Sequence, residues 1–504
     1  MIELDGHQLT IEQVAAVASG GEMVGLAEMG KRQIELSHQR LVKIIETGEP
    51  VYGINTGFGI FSDRKIPKDD MAKLSRNLIL SHAVGTGPAF SEPVVRAAML
   101  VRANTLTKGY SGVRLEIVQT ILDLLNRNVT PVVPEQGSLG SSGDLCPLSH
   151  LALVFTTDDA DREGESGQAI YNGKIMSGKA AMTAAGIDRI RLGAKEGLAL
   201  NNGATFSAAL AALNVIDAEH LLRTAEISLS MSLEAMLGCS SAFDPRLHEI
   251  RGHQGQIEVA RNVLKIIRGS SLVDSGGKVQ DAYSLRCAPQ VQGAACETIA
   301  FVRKVIEREI NAATDNPLIF DPGMAISGGN FHGEPIGMVM DFMGIALSEI
   351  AAISERRIFR LTDGKLNAGL PPMLVDRQED AGLNSGLMMP QYTAASLVLE
   401  NQTLASPDSV HSLPTSAEQE DHNANSMTAA RHARKILENT RHVVAVELYS
   451  AARALDLRLR ENPDGKMGVG TKKMYQKIRN EVAYQPGDTW WGPEIQKVKA
   501  LIFF

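Results

Sequence analysis

Apolar residues recur at helical spacing along most of this chain, and the apolar-polar alternation typical of exposed strands is scarce. In the first third of the chain the pattern predicts helices over residues 11–19, 24–46, 68–82, 92–107 and 113–126. Farther along it predicts three much longer helices over residues 205–237, 336–361 and 427–459. The sequence therefore predicts a mostly α-helical protein.

The long helices also predict how the chain is organised. Residues 205–237 are rich in alanine and apolar on most faces, which is typical of a helix buried in a bundle. A helix of thirty residues is about 45 Å long, more than one compact core buries, so we expect several copies of the chain to associate. We expect an N-terminal domain over residues 1–200, a central long-helix bundle over 201–460 and a C-terminal cap over 461–504.

Charge and composition narrow the classes of protein. The 504 residues are 44% hydrophobic and 21% charged, and the net charge of −8 disfavours nucleic acid or an anionic membrane as a partner. The N-terminus lacks a basic segment followed by an apolar one, and no run of about eighteen residues is both apolar and free of charge. Four widely separated cysteines indicate neither a disulfide framework nor a metal site. We therefore expect a cytoplasmic protein without a membrane span.

A glycine-rich loop over residues 137–144, Gly-Ser-Leu-Gly-Ser-Ser-Gly-Asp, is the first candidate for chemistry. Such a loop can cradle a phosphate, but the lysine step and the preceding strand of phosphate-binding loops are not apparent here. It can also react with itself: the unhindered nitrogen of Gly143 attacks the carbonyl carbon two residues back, and Ser142 loses water to leave a double bond. Taken alone, an ordinary turn between helices is the commoner outcome.

Two tyrosines and an arginine also stand out. Tyr52 lies in a second glycine-rich loop, residues 51–59, and acts as a base only if its neighbours lower the pKa of its phenol from about 10. Tyr283 and Arg286 lie in a stretch with few charges, residues 280–290. A guanidinium in such surroundings suits a substrate carboxylate. The alternatives are an internal ion pair for the arginine and plain packing for the tyrosines.

Further candidates lie on loops or at helix ends. Asn202 and Phe331 lie beside glycines, where the backbone can approach a ligand, although both segments can equally be turns. His82 ends a predicted helix, and Glu420 lies in a cluster of acid, amide and imidazole groups over residues 416–423. For these two residues the alternative is a favourable interaction with a helix dipole.

Six motifs taken together resemble the aromatic amino acid ammonia-lyase family. They occur in family order over roughly residues 45–445, which a chance match does not explain. The motifs are residues 51–59, 137–148, 196–203, 283–290, 316–332 and 419–422. Within the family, the likeness is greatest to the histidine-using branch.

The resemblance implies a fold, an assembly and a prosthetic group. The family fold is mostly α, with a long central helical bundle of the ammonia-lyase and fumarase-like type and an N-terminal part that carries the reactive loop. It forms a homotetramer whose active sites draw residues from three chains. By resemblance, Ser141, Ser142 and Gly143 form the 4-methylidene-imidazol-5-one group (MIO) autocatalytically, and no metal is needed.

The resemblance also implies roles for individual residues around a small amino acid substrate. By resemblance, these are Tyr52 as the base that removes the β-proton, Asn202, Tyr283 and Phe331 around the electrophile, Arg286 at the substrate carboxylate, Gln280 at a further polar position, and His82 and Glu420 at the substrate ring.

His82 and Glu420 imply the deamination of L-histidine to trans-urocanate and ammonia, because a phenyl ring would leave each unpaired at a cost of ~1–3 kcal/mol. Two departures from the family pattern keep alternatives open. Ser141 stands where the family usually has alanine. Residues 423–427 make the spacing after the motif 419–422 longer than is usual in the histidine branch. The alternatives are a phenylalanine or tyrosine ammonia-lyase, a 2,3-aminomutase, a lyase that releases trimethylamine from a histidine betaine, and an inactive helical scaffold.

Overall fold

The computed structural model describes residues 1–503, and the chain forms two compact units. Unit 1 comprises Met1–Ile216, Arg303–Asp341 and Pro407–Arg431. Unit 2 comprises Asp217–Val302, Phe342–Ser406 and the described residues from His432 onward. The predicted division into three domains stays a prediction.

The described residues are mostly helical, as the sequence predicted. In chain order, the helices α1 to α18 are Ile11–Ala18, Glu28–Thr47, Met71–His82, Glu92–Thr107, Leu115–Asn126, Leu145–Phe155, Gly178–Ala185, Glu196–Asn201, Thr205–Ala235, Pro245–Glu249, Gln254–Ile266, Tyr283–Arg286, Ala288–Glu309, Glu334–Thr362, Met388–Leu404, Ser426–Glu461, Val469–Glu481 and Trp491–Ala500. The short strands β1 to β11 are Ile2–Leu4, Val24–Leu26, Thr86–Ala89, Thr130–Pro131, Pro134–Gln136, Thr156–Thr157, Gln168–Tyr171, Lys174–Ser177, Ile190–Arg191, Leu318–Phe320 and Met324–Ile326. These strands form only two- and three-stranded sheets.

The predicted helix bounds agree closely with the structure, with one correction. Helix α4 has the predicted bounds, and the long helices α9, α14 and α16 end close to the predicted positions. The helix predicted over residues 24–46 begins only at Glu28, because residues 24–26 form β2, which pairs in parallel with β1. That strand partner lies about twenty residues away, outside the window in which helical periodicity is read.

Unit 1 is built around helix α4, whose residues from Val94 to Thr107 are all buried. Helices α1 and α5 pack against it. A buried asparagine of α4 links distant segments of the unit: Asn104 Oδ1 accepts the Gly6 N–H at 3.1 Å, and its Nδ2 donates to the Ile310 carbonyl at 2.9 Å. Because these buried polar groups are paired, their hydrogen bonds offset the cost of removing them from water.

Three other helices of unit 1, α3, α6 and α8, pack on one another and position the loops of interest. A Cβ on Gly197 would lie 2.4 Å from the Ser75 carbonyl oxygen, so the glycine lets α8 lie directly against α3. His82 ends α3, the loop 137–144 leads into α6, and Asn202 follows α8. Segments that are far apart in the sequence therefore meet at one place.

Unit 2 contains most of the long-helix bundle, and one buried ion pair stands among its apolar side chains. The Glu447 carboxylate accepts from Arg357 Nε at 2.5 Å and from Arg357 Nη2 at 2.8 Å, and both side chains are fully buried. Ser232 and Ser354 donate to the same carboxylate at 2.7 and 2.6 Å. Because both charges are satisfied, this buried pair is tolerated among α9, α14 and α16.

Helix α14, Glu334–Thr362, is the one helix among residues 1–503 that is long and apolar enough to cross a membrane. In this structure 67% of its most apolar window is buried inside the protein. Such burial is usual for a core helix that is apolar on several faces.

Candidate active site

A cavity of about 720 Å³ in unit 1 brings together several of the predicted site residues. The predicted residues that line it are Tyr52, His82, Ser142, Asn202 and Glu420. Apolar side chains complete its wall, among them Phe58, Leu74, Leu78 and Leu198. A largely apolar cavity with a few convergent polar groups is the usual form of a small-molecule site.

The glycine-rich loop is held against the segment that follows α8 by a close backbone contact. Gly143, with a φ of +75°, forms a parallel bridge with Gly203. A Cβ on Gly143 would lie 2.0 Å from the Gly203 carbonyl carbon. The Asp144 N–H donates to the Gly203 carbonyl at 2.9 Å. Only glycine fits at position 143, on grounds of both conformation and space.

The Ser142 carbonyl oxygen receives two hydrogen bonds in this arrangement. The Gly203 N–H donates to it at 3.1 Å, and Asn202 Nδ2 donates to it at 3.1 Å. The Asn202 Oδ1 atom is buried and has no hydrogen-bond partner among the described residues. Two fixed donors on one carbonyl oxygen stabilise negative charge that develops there during a reaction.

Asp144 anchors the end of the loop. Its carboxylate is fully buried and accepts from Ser138 Oγ at 2.8 Å and from the Ser207 N–H at 2.8 Å. Burial raises the pKa of Asp144, although these hydrogen bonds oppose the rise. No role was predicted for Asp144, since an aspartate before a helix is typically an exposed N-cap.

Glu420 contacts both serines of the loop. Its Oε1 accepts from Ser142 Oγ at 2.9 Å, and its Oε2 accepts from Ser141 Oγ at 3.2 Å. The Glu420 backbone is fixed by a reciprocal pair with Thr415, in which the two N–H···O distances are 2.8 and 3.2 Å. The intervening turn is tight, since Ser416, Ala417 and Glu418 all have positive φ.

Burial changes the acidity of the two titratable rings in the cavity. Burial raises the pKa of Tyr52, and the charge of Glu420 raises it further, while a hydrogen bond from the Gly59 backbone opposes both effects. A tyrosine base needs a lowered pKa, so the surroundings of Tyr52 within unit 1 act in the opposite direction. Burial lowers the pKa of His82, against the Leu78 carbonyl and the Glu420 charge, so its imidazole is neutral at neutral pH.

The remaining predicted residues lie elsewhere. Phe331 is half-buried in unit 1, in the loop before α14, and is not among the described residues that line the cavity. Gln280, Tyr283 and Arg286 belong to unit 2. There Tyr283 is 71% exposed, and the Arg286 guanidinium lies 4.5 Å from the centre of its ring.

Comparison with known proteins identifies the family. The sequence model described as aromatic amino acid lyase matches residues 9–480. The chain belongs to the aromatic amino acid lyase family. It is 50% identical to the histidine ammonia-lyase of Caldanaerobacter subterraneus subsp. tengcongensis over 484 residues, which cover 95% of this chain and 92% of that one.

Solved structures agree with this membership of the lyase family. Histidine ammonia-lyase from Trypanosoma cruzi matches with a TM-score of 0.90 and 37% identity, over 99% of this chain and 93% of that one. Tyrosine aminomutase from Streptomyces globisporus matches with a TM-score of 0.92 and 35% identity, over 100% and 96%. The predicted resemblance, fold class and enzyme class are confirmed.

Asn77 lines the cavity together with Ser81 and His82, and it was not among the residues predicted from the sequence. Positions four apart share one face of a helix, so the spacing of Asn77 and Ser81 on α3 was an available signal. For Phe58 in its glycine-rich loop, local sequence holds no such periodicity.

Proposed function

We propose that this chain is a histidine ammonia-lyase, which converts L-histidine to trans-urocanate and ammonia. The observation that carries the proposal is that His82 and Glu420 line the same cavity as Ser142 and Tyr52. A neutral imidazole and a carboxylate provide the hydrogen-bond partners that a substrate imidazole needs, and a phenyl ring would leave them unpaired at ~1–3 kcal/mol each. The relatives named above as histidine ammonia-lyases support the same substrate.

We further propose that Ser141, Ser142 and Gly143 form MIO. The Gly143 nitrogen bonds to the Ser141 carbonyl carbon, whose oxygen leaves as water with the amide hydrogens of Gly143 and Ser142. The Ser142 hydroxyl leaves as a second water with the Cα hydrogen, which creates the methylidene. Three observations support the fit: Gly143 has no room for a Cβ, Ser142 lines the cavity, and the Ser142 carbonyl has two donors.

Once formed, MIO supplies an electrophile that turns the substrate amino group into a good leaving group. The chain's own residues do the remaining work. Asn202 and the Gly203 N–H hold the carbonyl of the reactive loop, and Tyr52 removes the β-proton. Arg286 binds the substrate carboxylate and orients it, while Gln280, Tyr283 and Phe331 complete the surroundings. Because unit 1 raises the pKa of Tyr52, a nearby cation is needed to lower it, and Arg286 would provide that charge.

We propose a cytoplasmic homotetramer in which Gln280, Tyr283 and Arg286 reach the cavity from other chains, with neither nucleic acid nor a membrane as a partner. The exposure of Tyr283, at 71%, supports this arrangement, because aromatic side chains are enriched at protein interfaces. Light scattering of the purified protein would give the mass of the assembly, and a monomer that retains full activity would refute the shared site.

The same set of proposed site residues would also suit an aminomutase reaction or another ammonia-lyase reaction. The match to a tyrosine aminomutase structure makes a 2,3-aminomutase or another aromatic ammonia-lyase the principal alternative, and a lyase for a histidine betaine a further one. His82 and Glu420 favour the histidine reaction over one on a phenylalanine side chain, because a phenyl ring would leave both residues unpaired. The ultraviolet spectrum of the product separates the candidates, since urocanate, coumarate and cinnamate differ and a β-amino acid is not conjugated.

Intact-protein mass spectrometry and product analysis test the proposal together. We expect the purified protein to weigh about 36 Da less than its sequence, the mass of two waters, and to release urocanate from L-histidine. Ser142→Ala should show neither property, while Ser450→Ala, a buried serine of α16 that bonds the Val446 carbonyl, should show both. An active Ser142→Ala protein would refute the mechanism. A wild type that shows neither the mass deficit nor the release of urocanate would be an inactive scaffold.

A further inference from the structure

The Glu420 carboxylate is shared between two neighbouring serine hydroxyls of the reactive loop. Ser142 Oγ donates to Oε1 at 2.9 Å, and Ser141 Oγ donates to Oε2 at 3.2 Å. The Thr415 hydroxyl lies 3.4 Å from Oε2, near the limit of a hydrogen bond. The two serines therefore make the two shortest hydrogen bonds to the Glu420 carboxylate.

The two hydroxyls differ in their fate when the loop cyclises. The Ser142 hydroxyl leaves as water with the Cα hydrogen, so Oε1 of Glu420 loses its donor. The Ser141 hydroxyl is not consumed, because only the backbone of that residue enters the ring. After cyclisation, Ser141 is therefore the serine of this pair that still binds the carboxylate.

We propose that Ser141 is a positioning residue for substrate recognition: its hydroxyl holds Oε2 of Glu420, so that the vacated Oε1 can accept the N–H of the substrate imidazole. This inference rests on the proposed function. A glutamate side chain has three rotatable bonds, and a cavity of about 720 Å³ leaves room for other rotamers. A hydroxyl that donates to a carboxylate makes a charge-assisted hydrogen bond, which restricts those rotamers.

The burial of Ser141 makes the test specific. The residue is 6% exposed, and it is not among the described residues that line the cavity. Its hydroxyl therefore acts on a ligand through Glu420. Removing the Ser141 hydroxyl should weaken the binding of only those ligands that hydrogen-bond to Oε1 of Glu420.

The experiment compares Ser141→Ala with Ser141→Thr, which keeps a hydroxyl, and measures the dissociation constants of urocanate and cinnamate by calorimetry. Cinnamate is the matched control ligand, because a phenyl ring replaces the imidazole. Ser141→Ala should still lose about 36 Da on cyclisation. It should bind urocanate about tenfold more weakly and bind cinnamate as the wild type does. Ser141→Thr should retain the wild-type preference.

A double-mutant cycle supplies a second measurement. If Ser141 acts through Glu420, Ser141→Ala should weaken urocanate binding no further when Glu420→Gln is already present. The inference is wrong if Ser141→Ala binds urocanate normally, if both ligands weaken equally, if the two substitutions are additive, or if Ser141→Ala fails to cyclise. Failure of the proposed function would appear separately, as a wild type that neither deaminates L-histidine nor prefers urocanate.

Discussion

Gly143 and Gly203 lie so close that the backbone of one occupies the space where a side chain on the other would begin. The distance from the Cβ position of Gly143 to the carbonyl carbon of Gly203 is 2.0 Å. This approach brings the Gly203 N–H within 3.1 Å of the Ser142 carbonyl oxygen. The contact between two glycines thus provides one of the two donors on which the proposed chemistry depends.

Gly143→Ala should therefore prevent cyclisation. The new methyl group would collide with backbone that cannot give way, and the φ of +75° is unfavourable for alanine. Intact mass should show no loss of water, and turnover should be absent. Gly164→Ala is the control, since a Cβ there meets nothing within 4 Å; it should cyclise fully. A cyclised, active Gly143→Ala protein would contradict the geometry described for the loop.

Asn202→Ala should reduce turnover while leaving the ring intact. It removes one of two donors to the Ser142 carbonyl and keeps the Gly203 N–H, so we expect kcat to fall about 100- to 1000-fold with the mass deficit preserved. Asn201→Ala is the neighbouring control, because Asn201 Nδ2 bonds Ser149 Oγ instead. That variant should lose stability more than kcat. Equal losses of kcat in both variants would assign Asn202 a merely structural role.

Glu226 should make stability fall as pH rises. Burial raises its pKa from 4.5 to about 7, so between these values the folded protein holds a proton that the unfolded chain has lost, and stability declines with increasing pH. Glu226→Gln should be more stable than the wild type at pH 8 by about 3 kcal/mol and similar to it near pH 4.5. Denaturation at both pH values tests this. Glu249→Gln, at an exposed position, serves as the control for the substitution itself.

Loss of one partner of the buried ion pair Lys195–Asp315 should destabilise the protein more than replacement of both partners by apolar residues. The two groups lie 2.5 Å apart, with side chains 1% and 0% exposed. Lys195→Met leaves a buried carboxylate without its cation and should reduce the free energy of unfolding by about 3–5 kcal/mol. The double change Lys195→Met with Asp315→Leu should recover much of that loss. Thermal unfolding measures both variants, and a double variant no more stable than Lys195→Met would contradict this account of the pair.

Local periodicity predicted the helices well because each helix carries its own signal. Apolar spacing in α4 and in the long helices α9, α14 and α16 is visible within a short window of sequence. Strand β2 was mistaken for helix because its pairing with β1 is not local. In the candidate site, too, features with a local sequence signal could be predicted, and features that depend on distant residues could not.

The residue types of the candidate site could be predicted, but their environments could not. Motifs indicated Tyr52, Ser142, Asn202 and Glu420, and the cavity contains all four. The rise in the pKa of Tyr52 and the complete burial of Asp144 depend on side chains that are distant in sequence. The close contact of Gly143 with Gly203 likewise has no local signature.

Long-range assembly of the loop has a consequence for the timing of its chemistry. The partners of Ser142 arrive late during synthesis, since Asn202 is 60 residues farther along the chain and Glu420 is 278 residues farther. A ribosome must therefore finish most of the polypeptide before the tripeptide meets its surroundings. Cyclisation would then be a permanent mark, detectable by mass spectrometry, that a given copy of the chain has completed its folding.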